Sequence, residues 1–302
     1  MSKMFHTTFF YADDTNLVLS ASISKDLISK GNAELKNIFE WVASNRLSLN
    51  DTKTQAMIFR TVNTKIPMDL PKLFLGSHEI KFVDSTEFLG VTITKHLSWK
   101  NHMISIKKKL RRNVGACRKV KAQLGISAML SLYRSLMESH IHNSIVSWCH
   151  GNITLKNSIQ RSCDNFLKLI FPNESPMAIR QTMIDHQLLS VDQLLFQEVG
   201  MTMLKVHNSS FPKCFEDFFP KTSHTMLTRS NQSFNLEKPR IQLTKQSLNY
   251  KGLLVWNEIP NIVKYVKNSN PPQLNSKNSF KKHLKDFITY FMNDILYTNR
   301  DV

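Results

Sequence analysis

His6-Thr-Thr-Phe-Phe-Tyr11-Ala12-Asp13-Asp14-Thr15-Asn-Leu-Val-Leu-Ser20 is the stretch on which the fold of this chain turns. Two runs rich in Thr, Phe, Tyr, Leu and Val, His6–Tyr11 and Thr15–Ser20, flank Ala12-Asp13-Asp14, which supplies turn chemistry, so the pattern predicts a β-hairpin. Two adjacent carboxylates at the tip of an apolar hairpin repel each other, and a bound divalent cation reverses that penalty. Hard oxygen ligands of this kind suit Mg²⁺, which takes one or two protein carboxylates and completes its shell with phosphates and water. An ordinary acidic turn is the plainer alternative, because Asp is common in hairpin loops.

Working outward, a start signal at Ser24 or Asp26 opens a helix with Gly31, Leu35, Ile38, Phe39 and Val42 on its apolar side. Thr54–Arg60 reads as a strand after the break at Asn50-Asp51. Beyond Pro67 and Pro71, Glu79–Val83 and Glu87–Thr94 are expected to pair across a turn at Asp84-Ser85-Thr86, with Leu89, Val91 and Ile93 on one face. From Trp99 the period changes. Trp99, Met103, Ile106, Leu110, Val114, Cys117, Val120 and Leu124 step by three and four, and Gly125 ends the stripe. Ser127 is expected to cap a second helix carrying Leu130, Tyr133, Met137, Ile141, Ile145 and Trp148. Further helices are expected over 156–171 and 188–206, separated at Asn173-Glu-Ser-Pro176. Residues 207–250 read as loop with short strands, Leu253–Trp256 as an apolar block of core, and the end as an amphipathic helix from Ser279. Hairpins followed by helices give an α+β class.

Composition narrows the function. The 302 residues carry 40 Lys and Arg against 23 Asp and Glu, a formal charge of +17. That excess points to a polyanionic partner, nucleic acid before an anionic membrane surface. Only 8 glycines argue against a glycine-rich phosphate loop. No apolar run reaches the ~18 residues of a membrane span, and the start lacks the apolar stretch of a secretory signal. Cys117, Cys149, Cys163 and Cys214 are too scattered for a disulfide framework, which favours a reducing, intracellular setting, nuclear or cytoplasmic. Cys149-His150 with Cys163 and His140 makes a poor zinc set, since no C-x₂-C pair exists; buried thiols are the better reading.

The charge is concentrated on the Trp99–Leu124 stripe. Lys107, Lys108, Lys109, Arg111, Arg112, Arg118, Lys119 and Lys121 place eight basic residues and no acid in fifteen positions on its polar side. A solvated helix face normally mixes both signs for i,i+4 pairing, whereas a single sign suits contact with phosphates.

Tyr11-Ala-Asp-Asp14-Thr-Asn-Leu resembles motif C of reverse transcriptases, Asn45-Arg-Leu-Ser-Leu-Asn50-Asp-Thr-Lys53-Thr looks like their motif D, and Glu87-Phe-Leu-Gly90-Val91 looks like motif E. In this order and spacing the chain resembles the carboxy-terminal half of a reverse transcriptase, an RNA-directed DNA polymerase, from a non-LTR (LINE-type) retrotransposon. Later blocks agree with that family, including Leu132-Tyr-Arg-Ser-Leu136, Ser147-Trp148, Thr228-Arg229, Trp256-Asn-Glu-Ile-Pro260 and Phe280-Lys281-Lys282. The resemblance implies a partial palm at 1–95, a helical thumb and connector at 96–206, and a small mixed region at 207–302. It makes Asp13 a Mg²⁺ ligand, Asp14 a more peripheral catalytic carboxylate, and Tyr11 a contact of the nucleotide or template. Lys53 would neutralise or protonate the leaving pyrophosphate, and Phe88, Leu89 and Gly90 would form the primer grip. The basic helix would track the backbone of an RNA template and DNA primer without reading sequence.

Departures from the family pattern limit the expected activity. Twelve residues precede Asp13, and no counterpart of motif A, with its third aspartate, or of motif B stands among them. Two-metal nucleotidyl transfer needs that further carboxylate. The isolated chain is therefore expected to be inactive, a piece of a polymerase whose longer form does the chemistry. The alternative is a non-catalytic nucleic-acid-binding remnant built on the basic helix.

Overall fold

The computed structural model describes residues 6–12, 14–67, 69–212, 215, 218–219, 247–265 and 274–291. Among these residues the architecture is mixed helix and strand of the α+β kind, with three separate two-stranded hairpins and a majority of helix. The chain groups into two compact units. One holds the described residues up to Phe88 with Thr92–Ser98, and the other holds Leu89–Val91 with the described residues from Trp99 onward.

In the first unit β1 (His6–Tyr11) pairs antiparallel with β2 (Asp14–Leu19), Tyr11 standing opposite Asp14. Helix α1 (Ser24–Ser44) follows, burying Ile28, Gly31 and Val42 while leaving Phe39 and Trp41 exposed. β3 (Leu73–Leu75) and β4 (His78–Ile80) form a hairpin whose Leu73, Leu75 and Ile80 make a small core with Ile28. Gly31 permits this packing, since a Cβ there would stand 2.8 Å from Leu73 Cδ2. The outer edge of β3 is closed by one side chain. Asn32 Nδ2 donates to Lys72 O at 3.0 Å, and its Oδ1 accepts from Phe74 N at 2.9 Å, as a neighbouring strand would. Capping a free edge in this way blocks pairing with another chain.

Two expectations for this unit are corrected. Thr54–Arg60 forms no regular strand. Ala56 bonds to Lys81 and Val83, while Arg60 bonds to Lys95, so the segment changes partners before a ladder can repeat. The second turn also lies elsewhere. β5 (Ser85–Phe88) and β6 (Val91–Thr94) turn at Leu89-Gly90, with φ of +47° and +77°, not at Asp84-Ser85-Thr86. Two left-handed central residues are the conformation of a type I′ hairpin turn, whose twist matches that of the strands. Gly90 meets the requirement without strain; Leu89, placed at the exposed tip and not on the apolar face, does not. Asp84 stands instead at the hairpin's open end, where Lys95 Nζ lies 2.6 Å from its carboxylate. That hydrogen-bonded ion pair holds the Asp84 carboxyl below its usual range.

The second unit is helical. Helix α2 (Lys100–Val120) buries Met103, Ile106, Leu110, Val114 and Cys117 along the expected stripe. α3 (Ile126–Tyr133) starts at Gly125, so Ser127 lies inside it and not at its cap. Met137, Ile141, Ile145 and Trp148 are all buried as read, but the helix carrying them is interrupted. A π-helical turn spans Arg134–Glu138, α4 is Ser139–His142, and Ser144 at φ +54° separates it from α5 (Ile145–Trp148). Trp148 Nε1 donates to Asn143 O at 2.8 Å, which satisfies a fully buried indole at this break.

α6 (Ile153–Ile170) packs on α2, and Tyr133 meets Phe166 edge to face at 5.5 Å. α7 (Pro176–Asp185) is a helix where a separator was expected. Ser175 accepts from Ala178 N and Pro176 opens the first turn, so the residues read as a break are a start signal. α8 (Val191–His207) is buried on nearly all sides and begins with a Ser190–Gln193 capping box. α9 (Leu248–Glu258) contains the Leu253–Trp256 block and packs on α8, as does α11 (Lys277–Phe291); the short α10 (Asn261–Lys264) lies between them in sequence. No helix among the described residues is long and apolar enough to cross a membrane.

Candidate nucleic-acid interface and acidic hairpin

The hairpin β1–β2 ends in a two-residue turn, and its first residue, Ala12, has φ +51°. Asp13 lies outside the described residues. Tyr11 is 62% exposed, and Asp14 beside it is exposed too. Among the described residues Asp14 takes part in no ion pair, so its carboxylate is available to a hard cation. Among the described residues no three His, Cys, Asp or Glu side chains gather, and two-metal chemistry needs a further carboxylate beside Asp13 and Asp14. An alanine held left-handed costs about 1 kcal/mol, a penalty glycine escapes and asparagine largely does. Replacing Ala12→Asn is therefore expected to stabilise this hairpin by roughly 0.5–1 kcal/mol. Slower amide exchange at Asn16 and Val18, whose N–H groups face β1, would register the gain; unchanged exchange would mean the turn stores no strain.

Lys53 is exposed in a loop organised by Asn50. The Asn50 side-chain oxygen accepts from Lys53 N at 3.1 Å and from Thr52 Oγ1 at 2.8 Å, while its backbone oxygen accepts from Thr54. Asn50 is the residue that sequence reading passed over as a mere break, although Asn at a loop start signals such a turn. Lys53 and Asp14 form no ion pair with each other. Phe88, Leu89 and Gly90 come together at the tip of β5–β6, with Phe88 half-buried and Leu89 41% exposed.

The strongest electrostatic feature is on α2. At 100° per residue Lys108, Arg112 and Lys119 stand opposite the buried stripe, and Lys107, Arg111 and Arg118 line one flank. Lys109 stands on the other flank, and Lys121 lies in the 3₁₀ turn Lys121–Gln123. Lys108, Arg111, Arg112, Arg118 and Lys119 are exposed, the other three half-buried. Among the described residues none of the eight pairs with a carboxylate. Their field reaches His140, which burial and then Lys109 and Arg112 hold below the ordinary imidazole range. The chain's charge is unevenly placed. Residues 1–98 hold 11 Lys and Arg against 10 Asp and Glu, whereas 99–302 hold 29 against 13.

The three described cysteines, Cys117, Cys149 and Cys163, are buried thiols and not exposed thiolates. Burial pushes Cys149 and Cys163 up to about 12; Cys214 lies outside the described residues. Trp256 is fully buried and stacks on Phe280 at 5.8 Å, a core position. Comparison of the chain with protein-family models, with curated proteins and with solved structures finds no match in any of the three.

Proposed function

We propose that the chain is the carboxy-terminal part of an RNA-directed DNA polymerase of the non-LTR retrotransposon kind, with β1–β2 as the acidic palm hairpin and α2 as a thumb helix. The observation that carries this reading is the hairpin tip. Tyr11 and Asp14 face each other across a two-residue turn and both are exposed, which suits a carboxylate meant for a metal and an aromatic meant for a nucleotide. The left-handed Ala12 adds support, since backbone strain of this sort persists where geometry serves a site. In the full active site Asp13 and Asp14 would hold Mg²⁺ together with a third carboxylate. The metal would supply charge neutralisation for in-line phosphoryl displacement. Lys53, free of any ion pair among the described residues, is available to the leaving pyrophosphate. Leu89 and Gly90 at the β5–β6 tip would touch the primer end.

Primer extension tests this. With an oligo-dT primer on poly(rA), Mg²⁺ and dTTP, the 302-residue chain alone should give no product, for want of the third carboxylate. The same chain preceded by a polypeptide bearing an aspartate-tipped palm strand should extend the primer. Asp13→Ala should abolish that product and Asp14→Ala reduce it. Extension that survives Asp13→Ala overturns the assignment.

A second reading, a non-catalytic nucleic-acid-binding protein, draws on the uncompensated basic face of α2. It expects binding that is strongly salt-dependent and indifferent to Mg²⁺ and to Asp13.

A further inference from the structure

The basic surface of the second unit does not stop at α2. α4 packs against both α2 and α8, and α11 packs against α8, so the three junctions form a continuous path across the unit. The first junction is His140, which lies in the field of Lys109 and Arg112. At the second, His142 Nδ1 stands 3.4 Å from Glu198 Oε1, and Glu198 also feels Lys281 and Lys205. The third is Glu198 of α8 with Lys281 of α11, and beside it Glu138 of the π-helical turn feels Lys285.

On α11 Lys277, Lys281 and Lys285 follow at i, i+4 and i+8, one stripe of the helix, with Lys277 and Lys281 exposed. Two acids on this path are engaged within the fold. Glu198 is taken by His142, and Glu138 accepts a backbone hydrogen bond from Leu189 and sits among His142, Lys285 and Arg134. Asp286 is the other carboxylate in reach of Lys285. Asp286 is half-buried, and the fully exposed charged side chains of α2, α4, α8 and α11 are all basic.

We propose that a nucleic-acid duplex follows this path from α2 over α4 to the Lys277–Lys281 row of α11, so that the second unit holds a longer stretch of phosphate backbone than α2 spans. The proposal rests on the nucleic-acid reading above and extends it. Helix α2, at 21 residues, is about 30 Å long, which matches roughly nine base pairs. α4 and α8 stand between α2 and α11 on this path, each packing setting helix axes about 8–10 Å apart. A duplex of roughly nine base pairs lying along α2 is used up on that helix, and a longer one has backbone left to meet the α11 row.

The test uses RNA–DNA hybrids of 10 and 20 base pairs, titrated by fluorescence anisotropy against the wild type and the double variant Lys277→Glu/Lys281→Glu. Both side chains are exposed, and an unchanged thermal midpoint confirms that the variant folds. The 20-base-pair hybrid should bind the variant about tenfold or more weakly, with a salt slope shallower by roughly 2, and the 10-base-pair hybrid should bind both proteins alike. Equal affinities for the long hybrid overturn the track, as does an equal loss for both lengths. A wild type that binds neither hybrid overturns the nucleic-acid reading itself.

Discussion

Charge reversal of Lys107, Lys108 and Arg111 to Glu should weaken binding of an RNA–DNA hybrid by two to three orders of magnitude at about 0.1 M salt. Each cation that neutralises a phosphate releases condensed counterions, and the slope of log K against log salt is close to −0.9 per contact. Removing three contacts should therefore flatten the slope by about 3, and the new glutamates add repulsion. All three residues lie off the buried stripe of Met103, Ile106, Leu110, Val114 and Cys117, so helix content should be unaffected. Making the same change at Lys30, Lys65 and Lys81 alters net charge equally in the nearly neutral residues 1–98 and is expected to leave the slope almost unmoved. A slope that does not change in the α2 variant, or that changes as much in the control, would remove α2 from the interface.

Acid should cost the second unit about 3 kcal/mol through one histidine. Lys251 Nζ lies 3.1 Å from His150 Nδ1, so the ring accepts the ammonium's hydrogen bond and must be neutral to do so. Burial first, and then the cations Lys251 and Lys156, push His150 down to about 4; Asp192, 2.5 Å from Lys156 Nζ, opposes this only in part. The folded pKa lies below the unfolded value of 6.5. The stabilisation is therefore present above pH 6.5 and is lost as the pH falls through about 4. A shift of this size corresponds to about 3 kcal/mol at 1.36 kcal/mol per unit. His150→Gln keeps an acceptor for Lys251 and cannot titrate in this range. Urea midpoints of the wild type and this variant, followed by tryptophan emission, should diverge between pH 6.5 and 4, the wild type falling faster. Parallel profiles would show that His150 is not the group responsible.

How much of this was legible in the sequence differs from element to element. The α2 stripe and its eight basic residues could be read directly, because a 3.6-residue period is a local property and one sign of charge on one side needs no knowledge of neighbours. The β1–β2 hairpin was legible for the same reason, its bounds falling within one residue of those expected. The Leu89-Gly90 turn was harder. Asp84-Ser85-Thr86 has the composition of a turn, but pairing of Lys95 with Asp84 sets the register, and that partner is eleven residues away. The start of α7 hid within Ser175-Pro176 because a proline both ends and begins helices.

For the candidate site, the sequence alone determined which residues bear the charge and where the carboxylates and the exposed aromatic fall along the chain. It did so because hairpin alternation and helical period are written in neighbouring residues. Only the tertiary structure decided what those groups meet. Asn32 closes the edge of β3 from forty residues away, His150 meets Lys251 across 101 positions, and His140 and His142 connect the cations of α2 to those of α11. Lys264 reads as an ordinary lysine, yet its ammonium lies 5.2 Å from the Trp256 ring centroid, and burial holds it down to about 8. Burial and the fields of neighbouring charges depend on distance in space, and residues far apart in the chain carry no periodic signal of their meeting.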